Sequence, residues 1–252
     1  MTTTKRPARK ANVLVAVTVL AAVTGLAGCG SDGKGAEGEP FAGQSADQIA
    51  EKAVKATRDA RSVRMSGTAQ QQGASVKVDF KVDEKDGCVG TMTGKGGKAE
   101  VRQTGQTMYL KGDQDFWKSA LQGRPGTDKA VGQLQGKWVK SKPGEARTEG
   151  LCDKQAALAA MDGDKSERTG MKKGGTTTVD GRKALALHKQ QPGGEKVTMY
   201  VAAEGDPYIL RATSEGGKAP SEMVFSDYNK EVEVEAPPAG QVVDPATVAV
   251  GG

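Results

Sequence analysis

From Val76 to Asp83 apolar and charged residues alternate without a break. Val76, Val78, Phe80 and Val82 share one parity; Lys77, Asp79, Lys81 and Asp83 share the other. Successive side chains of a strand point to opposite faces, so this run is a half-buried strand with one dry side and one wet side. A helix would scatter the same residues around its circumference. A strand of this kind needs neighbours that continue its apolar face and a layer that covers it. Upstream, Val63, Met65, Gly67 and Ala69 alternate with Arg64, Ser66, Thr68 and Gln70, and Gln72-Gly73 reads as the connecting turn. The expectation is an antiparallel sheet with one solvated face.

Further strands are expected at 88–93, 99–103 and 107–111, then at 176–179, 184–189, 196–202, 208–214, 222–228 and 232–234, separated by Asp86-Gly87, Gly105, Gly181, Gly193-Gly194, Asp206-Pro207 and Gly216-Gly217. Helical signals fall at two places. Ser45 and Gln48 fit a capping box, after which Ile49, Ala50, Ala53, Val54 and Thr57 recur at helical spacing. Short helices are expected over 115–121 and 128–134, a brief extended piece over 136–139, and a helix capped by Asp153 over 154–161. The spacing predicts that Pro237-Pro238 ends the ordered part and that 239–252 is a disordered tail.

The N-terminus has a different logic. Lys5, Arg6, Arg9 and Lys10 precede an apolar run from Val13 to about Val23, which ends in Leu26-Ala27-Gly28-Cys29. A basic segment, a short apolar core and small residues make a secretory signal, too short for a good membrane span. The four terminal residues resemble the bacterial lipobox. That resemblance implies cleavage before Cys29 and a diacylglycerol thioether on it. Residues 1–28 are therefore expected to be removed. Residues 29–44, Gly-rich and charged, read as a flexible tether. The expected location is the extracytoplasmic face of the cell membrane, with a palmitate-type acyl anchor. Two or more acyl chains hold stably where one would not.

Lys and Arg total 36 against 31 Asp and Glu. Four of the basic residues lie in the signal, leaving 32 and 31, so the exported chain is close to neutral. With no dense basic patch, nucleic acid is discounted as a partner. Cys88 and Cys152 are the cysteines left after Cys29. In an exported protein an isolated pair is expected to form a disulfide, and without a C-x-x-C spacing a redox pair is disfavoured. His188 is the single histidine, on an expected strand with no nucleophile motif around it. Gly132 to Lys137 is one residue short of a phosphate-binding loop, and Trp138 stands where Ser or Thr is needed. Gly94–Lys98 reads as a loop. Asp83, Glu84 and Asp86 lack calcium-loop spacing and read as a solvated turn. No enzyme, cofactor or metal is expected.

The order helix, strands, helical middle, strands resembles the actinobacterial LppX/LprG-type envelope lipoproteins, which share the half-barrel of LolA and LolB. The resemblance spans most of residues 45–238, the expected folded domain. It is carried by Met108–Gly112, Phe116-Trp117, Gly136–Val139, Val179–Gly181, Met199–Val201, Phe225–Asn229 and Ala236–Pro238. It implies an α+β fold: one curved antiparallel sheet, helices across its concave face, and an apolar cavity for acyl chains. Met65, Val76, Val78, Phe80, Val82 and Met199 are the candidates for lining that cavity, and they would serve equally as ordinary core. The function implied is to bind or carry a lipid, glycolipid or other amphiphile. The alternative is a sensor or interaction lipoprotein of the same fold, with an envelope protein as its partner.

Overall fold

The computed structural model describes residues 40–71, 74–141, 152–155, 158, 168–217 and 220–248. The signal, Cys29 and the Gln72-Gly73 turn lie outside the described residues. The chain forms one large, open, curved, mostly antiparallel sheet of 12 strands with three α-helices among the described residues, as the α+β half-barrel expectation has it.

Two meanders build the sheet. The first runs β1 (Ser62–Gln71), β2 (Ala74–Asp83), β3 (Cys88–Gly94), β4 (Gly97–Thr104), β5 (Thr107–Gly112) and β6 (Trp138–Ser141). The second runs β7 (Lys172–Val179), β8 (Arg182–Gln190), β9 (Lys196–Ala202), β10 (Ile209–Glu215) and β11 (Ser221–Ser226). They join where β1 pairs antiparallel with β11, which places the first and last long strands side by side at the centre. β12 (Val242–Val243) then adds to the far edge, parallel to β6.

Helix α1 (Ala46–Asp59) begins as the sequence indicates. The Ser45 side chain accepts from the Gln48 backbone N–H, and the Gln48 side chain accepts from the Ser45 N–H at 2.8 Å. Its buried residues are Ala46, Ile49, Ala50, Ala53, Val54 and Thr57. Three of the six are alanine, so the helix sits close to the sheet, over β7, β9 and β10. α2 (Gln114–Ala120), capped by Asp113, packs on β4 and β5, and α3 (Thr127–Leu134) packs on α2.

Tyr228, just past β11, pins α1 to the sheet. Its ring stacks on Tyr208 at 4.1 Å, and its hydroxyl donates to the Ile209 carbonyl. Thr57 accepts from the Ile209 N–H at 3.0 Å. Burial pushes the Tyr228 phenol well above the ordinary tyrosine range. The fold therefore holds the neutral form, while the unfolded chain ionises near pH ~10. The stability due to this group is complete below that pH and falls as pH rises beyond it. Tyr228→Phe should cost about 1–2 kcal/mol at pH 8. It should also flatten the alkaline loss of stability, as read by urea unfolding from pH 8 to pH 11.

Three sequence expectations are corrected. The tether expected to reach residue 44 ends earlier: Phe41 packs on the core and its carbonyl accepts from Lys173 Nζ at 3.1 Å. One apolar ring in a Gly-rich stretch is enough to bring it into the fold. No strand forms at 232–234. That segment is a strap that leaves Lys230, whose carbonyl accepts from Ser62 Oγ, and reaches Arg102, which donates to the Glu235 carbonyl at 3.2 Å. Finally, residues 239–248 are not a disordered tail. Val242 and Val243 extend the sheet on the open edge of β6, and Val243 and Val248 pack against the core.

Candidate functional site: the inner face of the sheet

The register places apolar side chains of one parity in rows across the sheet, on the face that the helices cover. One row runs Ala99, Met92, Val78, Gly67, Met223, Ala212, Met199 and Leu187, crossing from β4 to β8. The next runs Leu110, Val101, Gly90, Phe80, Met65 and Phe225. A third runs Ser141, Met108, Gln103, Cys88, Val82 and Val63. Together with α1, α2 and α3 these rows form one continuous apolar interior.

All six candidate lining residues are buried here. Met65, Val76, Val78, Phe80 and Val82 are neighbours on β1 and β2. Met199 lies four strand spacings from Val78 in the same row, about 19 Å away. Sequence reasoning missed most of the methionine signal. Five of the chain's eight methionines (Met65, Met92, Met108, Met171 and Met199) are buried in this interior, and Met223 is half-buried against it. Thioether side chains are unbranched and polarizable and adapt to irregular shapes. The signal was present as methionine on the apolar parity of five expected strands, at Met65, Met92, Met108, Met199 and Met223. Trp117, buried on α2, has no local signal beyond the family resemblance.

Cys88 and Cys152 form a disulfide, with Cα atoms 5.5 Å apart. It fastens the connection between β6 and β7 to the inner face at the start of β3. The Asp153 side chain accepts from the Gln155 N–H at 2.8 Å, as a cap should, and Leu158 is buried; the rest of the expected 154–161 helix lies outside the described residues. Lys154, also buried, donates to the Ala60 carbonyl at the C-terminus of α1. Loss of hydration pushes its ammonium below the ordinary lysine range.

The opposite face is wet. Arg64 grips Asp79 with two hydrogen bonds, 2.8 Å and 2.6 Å, and holds its carboxyl below the usual range. Both side chains are about 40% exposed, so the pair contributes no more than about 1 kcal/mol. His188 is half-buried on β8, opposite Thr198 and Lys172. Asp83 accepts from the N–H groups of Lys85 and Gly87, which makes the acidic cluster a turn. Among the described residues no group of three His, Cys, Asp or Glu could hold a metal ion.

No protein-family model and no characterised protein sequence matches the chain significantly. Solved structures do. LprF from Mycobacterium bovis superposes with a TM-score of 0.51 at 17% identity, over 79% of this chain and 99% of that one. This chain has the LprF fold. The Mycobacterium tuberculosis lipoprotein LppX aligns at 15% identity and a TM-score of 0.48, over 75% of this chain and 97% of that one. The likeness to LprF meets, as a fold, the expected resemblance to LppX/LprG-type lipoproteins. What LprF shares with this chain is an open curved sheet with helices on one side.

Proposed function

We propose that the chain is an extracytoplasmic envelope lipoprotein, anchored through Cys29, that holds the acyl chains of an amphiphile on the inner face of its sheet. The methionine-bearing apolar rows carry this reading. A sheet face lined by Met65, Met92, Met199 and Met223 can re-pack around chains of differing shape. Each buried methylene adds about 0.8 kcal/mol, so a chain leaving water needs no catalytic group to be held. The lipobox supplies the anchor, and no helix among the described residues is long and apolar enough to cross a membrane. No cofactor is implied, and no residue is assigned a catalytic role.

The test is native mass spectrometry of the full chain, produced in an actinobacterial host and purified from its membranes. The expected result is a diacylglyceryl mass on Cys29 and a second, non-covalent acylated species at one per chain. A clean apo mass, with no ligand in the organic extract, would sink carriage and favour the interaction-protein reading. An unmodified Cys29 in a soluble fraction would sink the anchor.

A further inference from the structure

Inside an apolar interior a polar atom without a partner is informative, because buried donors are almost always satisfied. The indole Nε1 of Trp117 is such an atom. Trp117 is 6% exposed and belongs to the main core, yet no acceptor among the described residues reaches its N–H. Two contacts fix the ring. It meets Phe116 edge to face, with centroids 5.1 Å apart and planes at 79°. It also lies against Gly112 of β5. A Cβ on Gly112 would stand 3.1 Å from indole Cε2, the atom bonded to Nε1, and 2.3 Å from Phe116 Cδ1. Glycine there lets the indole settle on the inner side of β5, with its N–H beside the strand.

A second unpartnered group lies on the same side of the sheet. Ser141 follows Val139 on the inner parity of β6, opposite Met108, and its buried Oγ also lacks a partner among the described residues. Both groups belong to the β5, β6 and α2 side. The methionine row runs the other way, from Met92 through Met223 to Met199 on β9. The two unpartnered polar groups thus lie on one side of the interior, and the methionine row runs away from them.

We propose that the Trp117 N–H donates to a carbonyl oxygen of the bound amphiphile, an ester or amide next to its acyl chain. This sets the polar end over β5 and β6 and lays the chain along the row toward β9. The proposal rests on the carriage reading and names the chemical class of its ligand: an acyl ester or amide, in preference to a bare hydrocarbon. Trp117 acts as a specificity-determining residue.

The experiment compares two probes of equal length, methyl decanoate and dodecane. Each competes with the fluorescent hydrophobe N-phenyl-1-naphthylamine on the full chain, as wild type and as Trp117→Phe. Solubility differences between the probes cancel in the comparison. The ester-to-alkane affinity ratio should fall about tenfold in Trp117→Phe, the factor that one neutral hydrogen bond supplies. Trp138→Phe, which alters the tryptophan buried under Arg102 and Lys111 on the outer parity of β6, should leave the ratio unchanged. A readout without a substitution at the site is the indole N–H resonance of Trp117, assigned by its survival in Trp138→Phe. It should move downfield with methyl decanoate and not with dodecane. An unchanged ratio, or equal shifts with both probes, would overturn the proposal and leave carriage standing. Failure of both probes to displace the fluorophore would overturn carriage, and this proposal with it.

Discussion

Cys88→Ala/Cys152→Ala is expected to lose about 4 kcal/mol of unfolding free energy. The bond closes a loop of 64 residues, and the chain-entropy estimate for a loop of that size is ~4 kcal/mol. That is a large share of the ~5–15 kcal/mol that holds a domain together. The structure shows what the tie restrains. Cys88 is fully buried in the inner-face row between Gln103 and Val82, and Cys152 packs against the same core from the connection between β6 and β7. Two residues later, Lys154 reaches the Ala60 carbonyl. Without the disulfide, that lysine and Leu158 must hold the connection to the inner face. Urea unfolding of the wild type with and without a phosphine reductant separates the two contributions. Reduced wild type and the double variant should coincide. A double variant within about 1 kcal/mol of the oxidised wild type would show that packing alone does the holding and that the entropy estimate fails here.

How much of this was legible in the sequence depends on whether the signal was local. Period-2 alternation gave β1 and β2 with their correct dry faces, and the capping box with its 3–4 spacing gave α1 and all of its buried residues except Ala46. The cysteine pair followed from compartment. Three things were not legible. Glu231 to Glu235 alternates with Val232 and Val234 as cleanly as a strand does, yet it runs as a strap between Lys230 and the Arg102 side chain. A register irregularity between Ile209 and Arg211 breaks the parity of β10. Ile209 consequently packs in the main core, while Leu210 joins Val179, Ala184 and Ala202 in a separate cluster. Nothing in the local sequence marks that bulge. The unpartnered Trp117 N–H is a tertiary property, invisible until the ring's surroundings are known.

Gly67→Ala should be as damaging as losing the disulfide, about 3–5 kcal/mol, although it adds one methyl group. Gly67 stands at the centre of the seam, paired with Val78 on β2 and Met223 on β11. Its φ of 155° is a conformation L side chains rarely adopt, and a Cβ there would lie 2.0 Å from the Glu222 carbonyl oxygen. That oxygen belongs to the backbone, so no side-chain rotation relieves the clash; β11 must move away from β1. Strain of this kind costs ~1–3 kcal/mol, and displacing packed strands costs a similar amount again. The Tm should drop by roughly 6–20 °C at 2–4 °C per kcal/mol. Gly181→Ala is the control. Its φ is 77° but nothing lies within 4 Å of the added carbon, so it should carry only the conformational cost, about 1 kcal/mol. If both variants lose the same small amount, β11 yields easily and the seam is soft. A steep loss confined to Gly67 would show that the two meanders are held in one curved sheet by the close approach of β11 to a residue without a side chain, in the row that carries Met92, Met223 and Met199. The curvature that gives the inner face its shape would then depend on the same glycine.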